Sequence, residues 1–373
     1  MHRSGTSACT RLLNLCGAHL PGELLPANAS NVTGYWEPSS VVALHDALLA
    51  AAGSAWDDPT EFPVAWLASR DGQGYVDRLV EILRGEMAAN GLTVVKDPRA
   101  CRLVPFWRQA LASVNREPAM LLVVRHPLEV AASLERRDGM PVSQALLLWL
   151  EHVLAAEEST RSDRRLIITY DQILSDWKTV VVRVGDVLGI ALPNRGPEVD
   201  AEIAAFLDPA LRHERATPAS LDESPEVSEW VRRVYRWHER ASHDPNAVSV
   251  RELEDVRHEM RQAAVAYAPL VRWYRNQRAQ QAAAQRRAQQ QQDLWDAHQA
   301  AWQEQMRAWQ AREQRLSGEL KTVTDELKTV ADELKTMTES RDEQQRAATD
   351  LREAMDVVEA SPFWKLRNLI LRK

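Results

Sequence analysis

The start of the chain combines side chains and backbone that bind anions. Residues 2–7 read H-R-S-G-T-S, and a helical pattern follows them. A loop of small residues that opens a helix presents backbone N–H groups and the positive end of the helix dipole to an anion. A guanidinium adds permanent charge, and hydroxyl groups add donors. The predicted anion ligands are Arg3, Ser4, Gly5, Thr6 and Ser7, although a simple helix-capping turn has a similar composition.

The same loop resembles a P-loop with one difference. Thr6 stands where a Walker sequence carries the lysine that reaches the terminal phosphates. Transfer of a γ-phosphate from ATP is therefore poorly supported. A P-loop phosphotransferase remains the alternative enzyme class.

Two more cationic side chains come directly after predicted strands. Lys96 ends the run L-T-V-V-K and precedes D-P-R, while Arg125 ends M-L-L-V-V-R, with Ser133 on the following helix. In open α/β sheets, ligands bind beyond the carboxyl ends of the strands. We therefore expect Arg3, Lys96 and Arg125 on one rim, and Arg125 with Ser133 on a second anionic group. For Lys96 the alternative is a local salt bridge to Asp97.

The elements that must position these residues follow from hydrophobic patterning. Short apolar, β-branched runs at Leu92–Lys96, Met120–Arg125 and Arg165–Tyr170 are typical of buried parallel strands. Helix-length segments accompany them, including Ser143–Glu158 and Trp177–Leu188. Strands that alternate with helices predict an α/β fold, in which a P-loop-like parallel sheet lies between two layers of helices.

Composition and charge exclude some classes of protein. The chain has 373 residues, 45% of them hydrophobic, and a net charge of −7, which argues against a nucleic-acid binder. Its cysteines, Cys9, Cys16 and Cys101, predict free thiols in a reducing compartment rather than a disulfide framework. No Cys/His cluster has metal-ligand spacing, so we expect no metal. With neither a signal peptide nor a membrane span in the sequence, we expect a cytoplasmic location.

A heptad repeat follows a change of composition near residue 275. Residues 319–339 hold three copies of a segment that begins E-L-K-T, with leucine at core position a and valine or methionine at core position d. This pattern predicts a coiled coil and self-association, with a single solvated helix as the alternative. Leucine at a with β-branched residues at d favours tetramers in parallel coils. The seam comprises Trp295, Trp302, Trp309, Leu316, Leu320, Val323, Leu327, Val330, Leu334, Met337, Ala348, Leu351, Met355 and Val358. Polar residues that interrupt it, and should weaken its ends, are Gln292, Gln299, Glu313, Arg341 and Gln344.

Four parts of the chain are predicted. An α/β domain covers residues 1–215, a helical extension 216–276, the coiled coil 277–360, and a basic amphipathic tail 361–373. The tail combines Trp and Phe with basic residues, so it can lie peripherally on the inner face of an anionic membrane or pack on a partner.

Together, the motifs of the first domain resemble those of the sulfotransferases that use 3′-phosphoadenosine-5′-phosphosulfate (PAPS), particularly bacterial relatives of the tyrosylprotein and carbohydrate enzymes. The H-R-S-G-T-S loop is similar to their 5′-phosphosulfate loop, and Arg125 with Ser133 is similar to their 3′-phosphate pair. The Tyr170–Leu174 segment, Y-D-Q-I-L, is similar to their Tyr-Glu-Asp-Leu element, with Asp and Gln substituted. The resemblance covers residues 1–215 and makes this the predicted sulfotransferase domain.

The resemblance implies in-line transfer of a sulfuryl group from PAPS to a hydroxyl or amine of an acceptor such as a cell-envelope glycan. Arg3 would stabilise charge on the phosphosulfate. In the tyrosylprotein relatives, a glutamate is the general base and the lysine of a Lys-Asp-Pro motif stabilises charge. Lys96 matches that lysine, and Glu37 in G-Y-W-E-P is the best match for the base, although it lies further from Arg3 than the family spacing. His45 and Asp46 are the reserve candidates.

Two alternatives accompany this hypothesis. The family places a β-strand before the phosphosulfate loop, so we expect either a start upstream of Met1 or a sheet without its first strand. From a different functional class, the chain would be a coiled-coil scaffold whose domain binds nucleotide without turnover.

Overall fold

The computed structural model describes residues 1–28, 31, 33–87, 91–208, 216–364 and 367. It is 72% helical, with one small parallel sheet and a long C-terminal helix. The chain divides into two compact units, Met1–Tyr267 and Ala268–Lys373. The helices are α1 (Thr6–Leu15), α2 (Ser39–Ala51), α3 (Arg70–Glu86), α4 (Val104–Ser113), α5 (Pro127–Asp138), α6 (Val142–Ser159), α7 (Tyr170–Leu188), α8 (Pro197–Phe206), α9 (Pro218–Glu223), α10 (Glu229–His243), α11 (Arg251–Ala266) and α12 (Ala268–Ala360). The strands are β1 (Met120–Val124) and β2 (Arg165–Thr169), and short 3₁₀ helices cover Val64–Ala68, Pro98–Arg102 and Pro245–Ala247.

The strands β1 and β2 form a parallel pair in which Met120 lies opposite Arg165 and Val124 lies opposite Thr169. Helices α5 and α6 make the crossover that a parallel pair requires. Apolar side chains project from both faces of the two-stranded sheet, and helices cover both faces. Helices α6 and α10 lie on one face, and α1 and α7 lie on the other. Of the predicted α/β fold, the structure therefore shows a two-stranded parallel sheet with helices packed on both of its faces.

The predicted strand at Leu92–Lys96 is wrong as a regular strand. Its residues make one parallel bridge, between Thr93 and His19. The His19 N–H donates to the Leu92 carbonyl at 2.9 Å, and the Val94 N–H donates to the His19 carbonyl at 2.9 Å. Two hydrogen bonds to a single residue do not make a ladder. Among the residues described, the sheet has two strands, which is smaller than the sheet that the sequence predicted.

A cavity of about 480 Å³ is lined by residues 92–96, by β1 and by α1. Its lining includes Val94 and Val95, Leu121 and Val123 of β1, and Cys9 of α1. The Thr93 hydroxyl is buried here and finds no hydrogen-bond partner in the described part of the chain. All five residues of β1 line this cavity.

The thiols of α1 belong to the core. Cys9 and Cys16 are buried in the cluster that covers one face of the sheet. Burial raises the pKa of the Cys9 thiol to about 12, which keeps it protonated and unreactive. The prediction of buried free thiols is confirmed for these two, and Cys101 is half-buried and free.

The second unit is dominated by α12, which runs without interruption through 93 residues. The helix ends at Ala360, one residue before the Ser361-Pro362 pair, as a proline at that place predicts. No helix among the described residues is both long enough and apolar enough to cross a membrane. Apart from residues 361–364 and 367, the predicted basic tail lies outside the described residues.

Candidate functional site

The predicted anion-binding loop, residues 2–7, has a backbone that residues other than glycine rarely adopt. Helix α1 begins at Thr6, after Arg3 at φ 62° and Gly5 at φ 84°, both in the left-handed region. A Cβ on Gly5 would lie 2.2 Å from the Cδ2 atom of Tyr170, which no real structure tolerates. The left-handed Arg3 costs about 1–2 kcal/mol of backbone energy, and such strain concentrates at binding sites. The loop is therefore shaped by close packing against the start of α7, with its N–H groups at the head of α1.

The guanidinium of Arg3 crosses to the second predicted anion site. Its Nε donates to the Ser133 hydroxyl of α5 at 2.7 Å, and its carbonyl accepts from Arg125 Nη1 at 3.2 Å. The structure thus brings together Arg3, Arg125 and Ser133, which come from three separate segments. Arg125 and Ser133, which were expected to hold one anionic group, are joined in this structure through Arg3.

Arg125 is held in place by two groups that were not among the predicted site residues. Its Nε donates to Glu129 Oε2 at 2.7 Å, and its guanidinium lies 4.7 Å from the ring centre of Tyr170. The other oxygen of Glu129 accepts the Ala216 N–H at 3.0 Å. An Arg-Glu pair spaced i, i+4 at a helix start was the sequence signal that could have identified Glu129. Glu129 fixes the orientation of Arg125 at the rim.

The candidate base and the candidate lysine form a buried ion pair. Lys96 Nζ contacts Glu37 Oε1, and it also donates to Ser7 Oγ and to the Tyr35 carbonyl, both at 3.2 Å. Glu37 is 3% exposed and Lys96 is 9% exposed. Burial raises the pKa of Glu37 although the Lys96 ammonium opposes the rise, and burial lowers the pKa of Lys96 although Glu37 opposes the fall. Both changes move a pKa towards neutral pH, and a pKa near neutral suits a group that transfers protons.

The local sequence explains how Glu37 reaches Lys96. Trp36 has φ 58°, and Glu37 then pairs antiparallel with the segment before it: the Leu25 N–H donates to the Glu37 carbonyl at 2.8 Å. Pro38 follows as the N-cap of α2. The turn therefore directs Glu37 away from α2 and towards the loop that carries Ser7, whose hydroxyl donates to the Tyr35 carbonyl at 3.0 Å.

Asp97, the residue after Lys96, connects the ion pair to His45 and Arg99. Asp97 Oδ2 lies 2.9 Å from His45 Nδ1, and Trp107 Nε1 donates to His45 Nε2 at 2.9 Å. Because Nε2 accepts from tryptophan, Nδ1 carries the proton that His45 shares with Asp97. Asp97 Oδ1 accepts from Arg99 Nη1 at 2.9 Å, and Arg99 Nη1 lies 4.0 Å from Glu37 Oε2. Hence His45 is a fully buried positioning residue, and its ring is engaged on both sides.

Asp46, the other reserve candidate, does not reach Lys96. Its two carboxylate oxygens accept from Arg99 Nε and Nη2 at 2.6 and 3.1 Å, and its side chain is 50% exposed. Of the acidic candidates named in the sequence, Glu37 is therefore the one joined to the loop, through Lys96 and Ser7. Arg99 was not singled out from sequence, although it follows Lys-Asp-Pro directly.

Three features of the loop fit an anionic donor. Burial, followed by repulsion from Arg137 and Arg125, lowers the pKa of the Arg3 guanidinium, and a bound anion would offset that repulsion. The Ser4 hydroxyl is buried and finds no partner within the described ranges. Gly5 has no side chain, which lets the loop backbone turn at φ 84° directly before the N–H groups at the start of α1. A phosphate or sulfate would supply both the negative charge and the missing acceptor.

No family model, curated protein or solved structure matches this chain. Among the described residues, no group of three or more His, Cys, Asp or Glu side chains is arranged to hold a metal ion. The site is thus defined by its own geometry: an anion loop, a cationic rim and a buried carboxylate-ammonium pair.

Proposed function

We propose that the chain is a PAPS-dependent sulfotransferase that moves a sulfuryl group to a hydroxyl or amine of a glycan or similar cell-envelope acceptor. The observation that carries the proposal is the contact of Lys96 with both Glu37 and Ser7 at the head of the anion loop. An anion loop alone binds phosphate in many proteins. A buried carboxylate joined to that loop through an ammonium group adds the means to accept a proton beside it.

Each residue of the site then has a task. The backbone of residues 4–7 and the Arg3 guanidinium would hold the 5′ side of the donor, and Arg125 with Ser133 would hold its 3′-phosphate. PAPS supplies an activated sulfuryl group on a phosphate leaving group. Glu37 Oε2 accepts the proton of the acceptor, because Oε1 is engaged by Lys96. Lys96 places positive charge where negative charge develops, and most of the rate enhancement comes from positioning.

Two of the alternatives stay distinct from this proposal. A phosphotransferase would need a cation in place of Thr6, whose backbone instead begins α1. A nucleotide-binding scaffold would keep the anion loop and would not need Glu37. The location we propose is the cytoplasm, in keeping with the buried free thiols of α1.

Donor binding should depend on Gly5. In Gly5→Ala, the added methyl meets the Tyr170 ring and the left-handed backbone is strained, so we expect binding of 3′,5′-ADP, the donor product, to weaken by about 100-fold. Isothermal titration calorimetry with wild type and variant measures the effect. Gly53→Ala is the matched control. Gly53 has φ 71° and an added methyl there would meet no atom within 4 Å, so this variant carries the same backbone strain away from the loop.

A second variant separates binding from folding. Ser133→Ala removes one hydroxyl that Arg3 contacts and leaves the backbone unchanged, so the protein should fold with binding weakened by about tenfold.

The proposal requires transfer of labelled sulfate from PAPS to extracted cell-envelope glycans by the wild type. If the wild type binds neither 3′,5′-ADP nor PAPS, or if Gly5→Ala binds as well as Gly53→Ala, the assignment of the loop is wrong.

A further inference from the structure

One side of α12 carries an apolar stripe that nothing covers in the described part of the chain. The stripe follows the a and d positions of the heptads, and its large residues are 50–70% exposed. They are Trp295, Trp302, Trp309, Leu316, Leu320, Val323, Leu327, Val330, Leu334, Met337, Leu351, Met355 and Val358. An exposed apolar stripe of this extent marks an interaction site, and a long helix gains most of its stability from packing such a face.

We propose that this stripe binds the same stripe of a second copy of the chain, with neighbouring helices parallel and in register. The stripe is self-complementary. Leucines at a and valines or methionine at d repeat with one spacing through residues 319–339, so a copy of the helix offers matching knobs and holes along the whole segment. A strict seven-residue repeat is also the period that keeps one seam facing a partner in a left-handed coiled coil.

Charge at the flanking positions selects the parallel orientation. Position g is glutamate in all three repeats (Glu319, Glu326 and Glu333), while position e is threonine or alanine. In a parallel pair, g of one helix faces e of the next heptad of the other, so Glu319 faces Thr324 of the second copy without repulsion. In an antiparallel pair centred on the repeats, g faces g, and glutamates meet glutamates. That arrangement is destabilised by like charge.

Polar residues within the seam select the register. In a parallel pair in register, Gln299 and Gln344 each face their own copy, so their amides can hydrogen-bond across the interface. An antiparallel pair centred on the repeats would instead place Gln299 against Val358. Glu313 and Arg341 would also face their own copies, but both are long, exposed side chains whose charges reach water beside the seam. Mismatched registers lose the amide pairing.

Disulfide trapping tests the orientation. Glu313→Cys and Gln344→Cys are each made in a Cys101→Ser background, which removes the half-buried native thiol. Both sites are polar interruptions, so neither change removes an apolar contact. In the proposed arrangement, each variant alone forms a disulfide-linked dimer on mild oxidation. In an antiparallel pair centred on the repeats, position 313 faces position 344, so only the mixture of the two variants cross-links. That second result would overturn the proposal.

Self-association itself is measured by analytical ultracentrifugation of the full chain. Leu327→Asp places a charge in the seam. It should raise the chain concentration at which half of the assembly is dissociated by at least about 100-fold. Thr329→Asp, at position c on the outer face, is the matched control and should leave that concentration unchanged. A monomeric wild type at all concentrations, or equal association of the two variants, would refute the interface. Neither outcome bears on sulfuryl transfer, because all of these residues lie in the second unit.

Discussion

Glu37→Gln should lower the rate of sulfuryl transfer by about 10²- to 10⁴-fold while leaving donor binding within a few-fold of wild type. The amide keeps the size of the side chain and its contact with Lys96, but it cannot accept a proton. Because Glu37 contacts Lys96 and no part of the anion loop directly, the residues that would hold PAPS stay in place. Single-turnover transfer of labelled sulfate measures the first quantity, and calorimetry with 3′,5′-ADP measures the second.

The controls for this prediction come from the same network. Asp46→Asn removes a carboxylate on the neighbouring helix that does not reach Lys96, so transfer should be unchanged. Glu37→Gln combined with Lys96→Met removes both charges of the buried pair. It should fold at least as well as Glu37→Gln, which leaves the Lys96 ammonium unpaired, and remain inactive. Transfer at the wild-type rate by Glu37→Gln would show that Glu37 is not the base. Loss of binding as well as transfer would point to a structural role.

Asp97→Asn should lower the free energy of unfolding by about 3 kcal/mol, the largest effect on stability that we expect from one substitution at the site. Asp97 is fully buried as a side chain, and it joins His45 to Arg99. Without the charge of Asp97, the buried guanidinium of Arg99 loses one of its carboxylate partners. Asp46→Asn also removes a partner of Arg99, but Asp46 is half-exposed, so its loss should cost about 0–1 kcal/mol. Urea denaturation of the three proteins gives the comparison.

The same residue predicts part of the pH dependence of stability. Burial by itself raises the pKa of Asp97, but the neighbouring His45 and Arg99 outweigh it and hold that pKa well below the ordinary value. A carboxyl whose pKa is lower in the folded state contributes stability at neutral pH, and that contribution shrinks as pH falls below about 4, where the unfolded chain takes up the proton first. Stability of the wild type should therefore fall more steeply in acid than stability of Asp97→Asn. Parallel curves for the two proteins would contradict this.

The sequence predicted those parts of the fold that depend on local pattern. Helices α1, α6 and α12 and strands β1 and β2 appear where apolar periodicity placed them, because each has a continuous apolar face or run. The Leu92–Lys96 segment has an equally good pattern and still does not form a ladder. A strand exists only when a neighbouring strand pairs with it, and pairing is not encoded in the segment itself.

The candidate site, like the fold, was predicted from the sequence only in part. Arg3, Lys96 and Arg125 were expected on one rim because they end predicted strands or open a helix, and contacts in the structure link each of them to the loop. The approach of Tyr170 to Gly5 and the chain from Trp107 through His45 to Asp97 were not expected. These contacts join residues that are far apart in sequence, and no periodic pattern in the sequence predicts such contacts.

The edge of β1 that faces away from β2 has a consequence for amide hydrogen exchange. Met120 donates its N–H to the Arg164 carbonyl at 2.8 Å, so N–H groups of alternate residues in β1 point towards β2. The N–H groups of Leu121 and Val123 point away from β2, to the side on which no strand pairs with β1 among the described residues. One short strand thus carries two populations of amides, bonded and unbonded, in strict alternation. Leu121 and Val123 should exchange with deuterium well before Leu122 and Val124, and any molecule or segment that pairs with this edge would abolish the difference.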